Sequence, residues 1–206
     1  MDPKAHWESV YSTKSPTAVS WFQPEARLSL DLITAVATDR ASRILDVGGG
    51  ASRLVDGLLD LGYSHLSVLD IAESALQHAR ARLGERAALV TWRAADILAT
   101  EFAPGSVDLW HDRAVFHFLV EASARRRYVA QVRRALAPAG IVIVATFADD
   151  GPTRCSGLDA MRYSADSLHE EFGDDFQLVR SEREEHRTPS GGLQAFTYCV
   201  CRGPGR

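Results

Sequence analysis

Short apolar runs alternate with amphipathic stretches along most of this 206-residue chain. Continuous apolar and β-branched runs, such as residues 141–147, are typical of strands buried on both faces, as in a parallel sheet covered by helices. The apolar runs predict five strands, at residues 43–47, 65–69, 88–92, 107–110 and 141–147. The amphipathic stretches predict helices near residues 26–37, 52–61, 73–83, 121–137 and 164–172.

The pattern changes toward the end of the chain. Residues 176–182 and 194–201 predict two further strands, with only a polar segment between them. Because no helix separates these strands, we expect them to pair as an antiparallel hairpin. The sequence therefore predicts one α/β unit, whose doubly wound, mostly parallel sheet ends in this hairpin.

A glycine-rich turn follows the first predicted strand, with the sequence Asp46-Val47-Gly48-Gly49-Gly50-Ala51-Ser52. Glycines there allow a tight turn and let a ligand approach the main chain closely. Asp70 closes the second strand, 20 residues after Gly50, where a carboxylate can accept hydrogen bonds from two ribose hydroxyls. Asp96 follows the third strand, within reach of an adenine amino group. These positions predict a nucleoside ligand, the alternatives being a plain turn and helix N-caps.

Several classes of function are disfavoured by the sequence. The third glycine of a dinucleotide fingerprint would fall at Arg53, and no Tyr-x-x-x-Lys pattern occurs, which disfavours a nicotinamide-dependent reductase. No Gly-Lys-Ser/Thr sequence is present, which excludes a phosphate-loop hydrolase. The 27 acidic and 23 basic residues give a formal net charge of −4, which disfavours binding to nucleic acid.

The apolar runs and the cysteines indicate the compartment of the protein and whether it binds a metal ion. No apolar run reaches the length of a membrane span, and the first residues lack the apolar stretch of a signal peptide. The three cysteines lack metal-type spacing. We therefore expect a cytoplasmic protein, monomeric or homodimeric, that binds neither membranes nor a metal ion.

The turn at residues 46–52 resembles the first motif of class I S-adenosylmethionine-dependent methyltransferases, Asp/Glu-x-Gly-x-Gly-x-Gly, with Ser52 at the third glycine. Asp70 matches that family's ribose-binding acid, and residues 107–111 match the strand whose end faces the methyl group. The resemblance implies a Rossmann-like, seven-stranded sheet of order 3-2-1-4-5-7-6, with S-adenosylmethionine as cofactor and S-adenosylhomocysteine as product. The cofactor-binding residues that it implies are Tyr11, Trp21, Asp46, Gly48, Gly49, Gly50, Ser52, Asp70, Ile71, Asp96, Ile97 and His111.

The first 38 residues carry Trp7, Tyr11, Trp21 and Phe22. This segment resembles the lid of small-molecule methyltransferases of the thiopurine and tellurite-resistance type, and also the start of certain protein-lysine methyltransferases. We therefore predict a helical lid over residues 1–38 and a cofactor-binding domain over residues 39–206. Alternatively, these aromatic side chains only pack on the sheet.

Candidates for a general base follow the fourth predicted strand: His111, Asp112 and His117. In the alternative interpretation, His111 contacts the amino-acid end of the cofactor and Asp112 pairs with Arg113. A long loop after the fifth strand is predicted to cover the acceptor site. The candidates for substrate contact are Arg113, His117, Phe147, Arg154 and Cys155.

The sequence thus predicts methyl transfer to a nitrogen, oxygen or sulfur (chalcogen) atom of a small molecule. A soft-element acceptor bound by Cys155, Cys199 and Cys201 is conceivable, although buried, inert cysteines are the stronger interpretation. The alternatives are a protein-lysine methyltransferase and a non-catalytic, nucleoside-binding regulatory protein. A lidded, aromatic pocket would favour small acceptors, whereas a negative surface around its mouth would favour a protein acceptor.

Overall fold

The apolar runs form a central sheet in a computed structural model, which describes residues 2–205. The strands are β1 (Arg43–Val47), β2 (His65–Asp70), β3 (Val90–Ala94), β4 (Val107–Arg113), β5 (Leu136–Ala148), β6 (Arg154–Cys155), β7 (Leu158–Asp159), β8 (Arg162–Tyr163), β9 (Gln177–Arg187) and β10 (Leu193–Arg202). The helices are α1 (Pro3–Thr13), α2 (Arg27–Val36), α3 (Leu54–Asp60), α4 (Glu73–Leu83), α5 (Ala122–Ala135) and α6 (Ala165–Phe172).

The strand order is β3-β2-β1-β4-β5-β10-β9, which confirms the expected order 3-2-1-4-5-7-6 because β10 and β9 are the predicted hairpin. The first five strands run parallel, and β10 lies antiparallel to both β5 and β9. The two-residue strand β8 pairs with β5 in addition, and β6 pairs with β7 in the loop after β5. The order leaves β1 and β4 side by side at the centre, where a doubly wound sheet binds ligands.

Several strand boundaries differ from the prediction; β4 and β9, for example, run on to Arg113 and Arg187. Strand β3 runs from Val90 to Ala94 rather than over residues 88–92, because its parallel register with β2 begins at the pair Leu66–Val90. The preceding residues, 84–89, form a 3₁₀ turn. Strand β5 begins at Leu136, five residues early, because Leu136 pairs with Val107 at the start of β4. The first residue of each of these two strands depends on pairing with a strand that is distant in sequence, and a local apolar pattern carries no information about that pairing.

Side chains along β4 alternate between the two faces of the sheet. Leu109 packs in the cluster that contains Ile33 of α2, whereas Trp110 packs in the cluster that contains Tyr128 of α5. His111 therefore points to the same face as Leu109, and the next side chain points to the α5 face. This alternation decides below which of the predicted catalytic residues reaches a cavity.

The three cysteines lie in different places. Cys199 and Cys201 are buried in the cluster on the α5 face, whereas Cys155 belongs to the cluster on the opposite face. The idea that the three cysteines together bind a soft-element acceptor is therefore wrong. Among residues 2–205, no group of three or more His, Cys, Asp or Glu side chains is placed to hold a metal ion. In the same range, no helix has the length and apolar character that crossing a membrane requires.

Polar contacts attach the N-terminal helix α1 to α4. The carboxylate of Glu8 accepts hydrogen bonds from the backbone N–H groups of Glu73 (2.8 Å) and Ser74 (3.2 Å). Nε2 of His78 lies 3.0 Å from the carbonyl oxygen of Tyr11. Hydrogen bonding by Ser74 lowers the pKa of Glu8, so this carboxylate caps the positive end of α4 in its charged form. These contacts hold α1 beside the carboxyl ends of the parallel strands.

Candidate active site

A cavity of about 370 Å³ opens at the carboxyl ends of β1, β2, β3 and β4. One half is formed by residues at or just after the ends of these strands. The other half is mainly aromatic, and its residues come from the N-terminal segment, the end of β4 and the segment after it, β5 and the loop after it, and the hairpin. The first half includes Gly48, Asp70, Ile71, Asp96, Ile97 and Val115. The second half includes Trp7, Trp21, Arg113, His117, Phe118, Phe147, Cys155, Gln194 and Phe196. The fold thus brings most of the predicted site residues to one cavity.

The glycine turn approaches the acids of the neighbouring strands very closely. Gly48 and Gly50 have φ angles of 67° and 39°, which favour glycine. A Cβ atom on Gly50 would lie 2.7 Å from Oδ2 of Asp70 and 3.1 Å from the hydroxyl oxygen of Tyr11. Glycine at this position therefore lets the turn pack directly against the carboxylate of Asp70 and the hydroxyl group of Tyr11, and Gly50 itself is not among the residues that line this cavity.

Asp70 is buried at the end of β2. Its Oδ1 atom accepts a hydrogen bond from the N–H of Ala72 (2.8 Å), which fixes the turn into α4. Burial raises the pKa of Asp70 to about 7, and the nearby carboxylates of Asp46 and Glu8 act in the same direction. A carboxylate that is this poorly solvated gains from hydroxyl or amine donors that a ligand brings.

The residues that follow β3 also line this half of the cavity. Oδ1 of Asp96 accepts a hydrogen bond from the N–H of Leu98 (2.8 Å), so its carboxylate shapes the turn after β3. Ile71 and Ile97 present apolar surface to the cavity. Their arrangement suits a flat apolar group with a polar edge.

A smaller cavity of about 50 Å³ adjoins the glycine turn, and Asp46, Gly49 and Ser52 contribute to its wall. In this wall, Nδ1 of His111 is 2.7 Å from Oδ1 of Asp46, and Nε2 is 2.9 Å from Oγ of Ser29. Both ring nitrogens of His111 are thus held by protein groups, which leaves neither free to take a proton from an acceptor. Sequence reasoning missed Ser29, whose signal is a hydroxyl on the otherwise apolar face of α2.

The structure does not bring Asp112 to either cavity. Its side chain points to the α5 face, where the carboxylate accepts hydrogen bonds from the N–H groups of Val115 (2.8 Å) and Phe116 (3.1 Å) and from the hydroxyl of Tyr128 (2.5 Å). Burial raises the pKa of Asp112 to about 6, although these hydrogen bonds favour the charged form. Asp112 points away from both cavities because side chains alternate between the two faces along β4. It is therefore no candidate for a general base.

We predict that replacing Asp112 by alanine lowers the free energy of unfolding by about 3 kcal/mol, because three buried donors lose their acceptor. The Asp112→Asn variant keeps an acceptor oxygen and should lose clearly less. Chemical denaturation of both variants measures the difference. An alanine variant as stable as the unmodified protein would contradict this structural role.

Arg113 ends β4 in the second half of the cavity, held by the hairpin. Its guanidinium group pairs with Glu184 (2.9 Å), donates a hydrogen bond to the hydroxyl of Tyr198 (3.0 Å) and stacks 4.1 Å above the ring of Phe196. No sequence pattern pointed to Glu184, which lies 71 residues away along the chain. The expected pairing of Arg113 with Asp112 is absent from the contacts of residues 2–205.

The loop after β5 contributes one predicted residue to the cavity wall and leaves another outside. Cys155 lines the cavity and is buried. Arg154 faces solvent, with its side chain 65% exposed, and pairs with Asp159 at 3.2 Å. Successive residues of β6 point to opposite sides, so only one of the two reaches the cavity. Arg154 is therefore no candidate for substrate contact in this structure.

Comparisons with known proteins agree with this geometry. Residues 44–140 match the family described as "Methyltransferase domain". The "eEF1A lysine and N-terminal methyltransferase" of Danio rerio is 26% identical over 148 residues, which are 70% of this chain and 21% of that protein. The chain thus spans about a fifth of the length of this curated relative.

Two solved structures share the fold over 98% of this chain. One is the 1,6-didemethyltoxoflavin-N1-methyltransferase of Burkholderia thailandensis with its substrate and S-adenosylhomocysteine (20% identity, 84% of that chain, TM-score 0.68). The other is the N-methyltransferase NodS of Bradyrhizobium japonicum with S-adenosylhomocysteine (16% identity, 100% of that chain, TM-score 0.71). The matched residues include the strands that carry the glycine turn, Asp70 and Asp96, so this part of the chain is similar to a methyltransferase domain.

Proposed function

We propose that this protein is an S-adenosylmethionine-dependent methyltransferase that acts on a small molecule, which binds in the aromatic half of the large cavity. The observation that carries this proposal is the wall of that half. The indole of Trp7 lies 5.7 Å from that of Trp21 and 5.2 Å from the ring of Phe118, measured between ring centroids. Phe147 and Phe196, 5.0 Å apart, face the same space. Such a wall suits a small, largely apolar acceptor.

The other half of the cavity fits the nucleoside of S-adenosylmethionine. Gly48 of the glycine turn and the buried carboxylate of Asp70 both line this half. In this proposal Asp70 accepts the ribose hydroxyls, and Ile71 and Ile97 flank the adenine, whose amino group contacts Asp96. The smaller cavity beside Asp46 and His111 takes the amino-acid end. When bound, S-adenosylmethionine supplies a methyl group on a positively charged sulfur, which leaves as a neutral thioether.

The protein's own contribution to methyl transfer is alignment and exclusion of water. The geometry leaves both ring nitrogens of His111 hydrogen-bonded and Asp112 outside the cavity. Neither of these two predicted bases therefore reaches an acceptor. Holding the acceptor atom in line with the methyl group supplies a large part of the rate enhancement in such a displacement. We propose that residues 1–38 act as the lid, because Trp7, Tyr11 and Trp21 line the cavity and Glu8 attaches α1 to α4.

We predict that affinity for S-adenosylhomocysteine falls as the pH is lowered through about 7, where Asp70 titrates. Hydroxyl donors favour the charged carboxylate, so binding lowers the pKa of Asp70 and releases protons near and below pH 7. Calorimetry in buffers of different ionisation enthalpy measures both effects. The Asp70→Asn variant serves as the control and should lose this pH dependence. An affinity that is equally flat in both proteins would contradict the assignment of Asp70.

A protein acceptor is the second candidate, because the relative from Danio rerio is named for lysine and N-terminal methylation. The test is to incubate the purified protein with methyl-labelled S-adenosylmethionine and, separately, the small-molecule and protein fractions of a cell extract. We expect label in the small-molecule fraction, and much less of it with the Asp70→Ala variant at a cofactor concentration near the dissociation constant of the unmodified protein. Label confined to lysine or N-terminal amines of the protein fraction would overturn the small-molecule proposal and favour the second candidate.

A further inference from the structure

Three residues that line the cavity each carry a buried polar atom without a hydrogen-bond partner among residues 2–205. They are His6 (Nε2), beside Trp7 at the N-terminal helix, and His117 (Nε2) and Gln194 (Oε1) in the part of the wall formed by β5 and the hairpin. A buried polar atom without a partner destabilises a protein, so native structures rarely keep one without a reason. Because His117 and Gln194 both line one cavity, a ligand that provides partners for these two atoms is a direct reason.

The hydrogen bonds of His117 determine which ring nitrogen carries the proton. The backbone N–H of Phe147 donates to Nδ1 at 3.3 Å, so Nδ1 acts as an acceptor. Complete burial lowers the pKa of His117 to about 3, and the positive charge of Arg113 acts in the same direction. The neutral ring therefore carries its proton on Nε2. His117 therefore carries an unpartnered hydrogen-bond donor at Nε2 and is not placed to act as a base.

The rings around His117 define the shape of the group that it can meet. Its imidazole lies 4.5 Å from the ring of Phe147 and 4.4 Å from that of Phe118, between centroids. A planar ring stacks well on such surfaces. An acceptor of this kind can carry, in its own plane, a lone pair for His117 and an N–H or O–H group for Gln194.

The charges near this half of the cavity do not select a cation. The guanidinium of Arg113 is buried and paired with Glu184, their side chains being 9% and 15% exposed. Asp159, which also lines the cavity, pairs with the exposed Arg154. A protonated amine would meet the donor of His117 and would find no unpaired carboxylate there among the described residues. The site thus suits a neutral ligand.

We infer that the methyl acceptor is a neutral, planar heteroaromatic molecule that accepts a hydrogen bond from Nε2–H of His117 and donates one to Oε1 of Gln194. This inference rests on the proposed function, since it places the acceptor in the aromatic half of the cavity. It assigns to His117 and Gln194 the role of selecting the substrate by its in-plane hydrogen-bond acceptor and donor.

The test uses three two-ring probes of similar size on protein saturated with S-adenosylhomocysteine. Naphthalene offers neither polar group, quinoline offers a ring nitrogen acceptor, and 4-quinolone offers both a carbonyl acceptor and an N–H donor. Each hydrogen bond that completes a buried partner should tighten binding about tenfold. By calorimetry we therefore expect 4-quinolone to bind more tightly than quinoline, and quinoline more tightly than naphthalene.

Two variants assign the effects to residues. His117→Asn keeps an acceptor near the position of Nδ1 for the Phe147 N–H but removes the Nε2 donor, and it should bring quinoline to the affinity of naphthalene. Gln194→Met keeps the length of the side chain and should bring 4-quinolone to the affinity of quinoline. Binding of S-adenosylhomocysteine should stay unchanged in both variants, which shows that they are folded.

Equal affinities for the three probes in the unmodified protein would overturn the inference but leave the small-molecule proposal intact. The inference also fails if His117→Asn weakens naphthalene and quinoline alike, because the loss would then be one of shape. The inference also fails if none of the three probes binds to protein that still binds S-adenosylhomocysteine. Whether the proposed function fails as well is decided separately, by the labelling of the protein fraction.

Discussion

The Gly48→Ala variant is expected to bind S-adenosylhomocysteine about a hundredfold more weakly than the unmodified protein. Gly48 has a φ of 67°, a conformation that side chains with a Cβ rarely adopt. A Cβ at this position would also overlap with Cγ2 of Val115, which follows β4. Relieving both strains requires the turn to move, and the turn forms the cavity wall between β1 and β4. Calorimetry measures the affinity.

Gly62→Ala is the matched control for this variant. Gly62 has a φ of 85°, so alanine there carries a similar backbone strain, but a Cβ at Gly62 would meet no atom within 4 Å. Both variants should lose about 1–2 kcal/mol of stability from the backbone alone. Only Gly48→Ala should lose affinity. If both variants bind S-adenosylhomocysteine like the unmodified protein, the glycine turn does not shape the cofactor site.

The second large effect is expected from Asp70→Ala, which should weaken binding of S-adenosylhomocysteine at least tenfold. Two charge-assisted hydrogen bonds to the ribose contribute about 1.5–3 kcal/mol each, and the desolvation of the buried carboxylate offsets part of this. Asp60→Ala provides the control, because Asp60 is 67% exposed and pairs with Arg86 at the surface. Equal affinities in the two variants would remove the assignment of the ribose to Asp70.

The sheet was predictable because its signal is local. Each parallel strand is a continuous apolar run between helices, and the glycine turn with Asp70 and Asp96 marks the carboxyl ends. The start of β5 at Leu136 was missed because its pairing with Val107 depends on a strand 29 residues earlier. Apolar periodicity identifies strands well but does not determine where their partners begin.

The aromatic half of the site was only partly predictable. His117, Phe147 and Cys155 lie near the ends of β4 and β5, so their positions in sequence point to the cavity. Gln194 reaches it from the hairpin, and Glu184, also in the hairpin, pairs with Arg113. No local pattern reports contacts over such distances along the chain. Asp112 was expected at the site because it follows His111, but the alternation of side chains in a strand turns neighbours to opposite faces.

One measurement tests the central claim most directly: a crystal structure of the protein with S-adenosylhomocysteine. We expect the ribose hydroxyls within hydrogen-bond distance of Asp70, the adenine between Ile71 and Ile97, and the sulfur directed toward the aromatic half that contains His117. A complex with the nucleoside bound away from the glycine turn, or a fully occupied ligand whose ribose does not contact Asp70, would contradict the account.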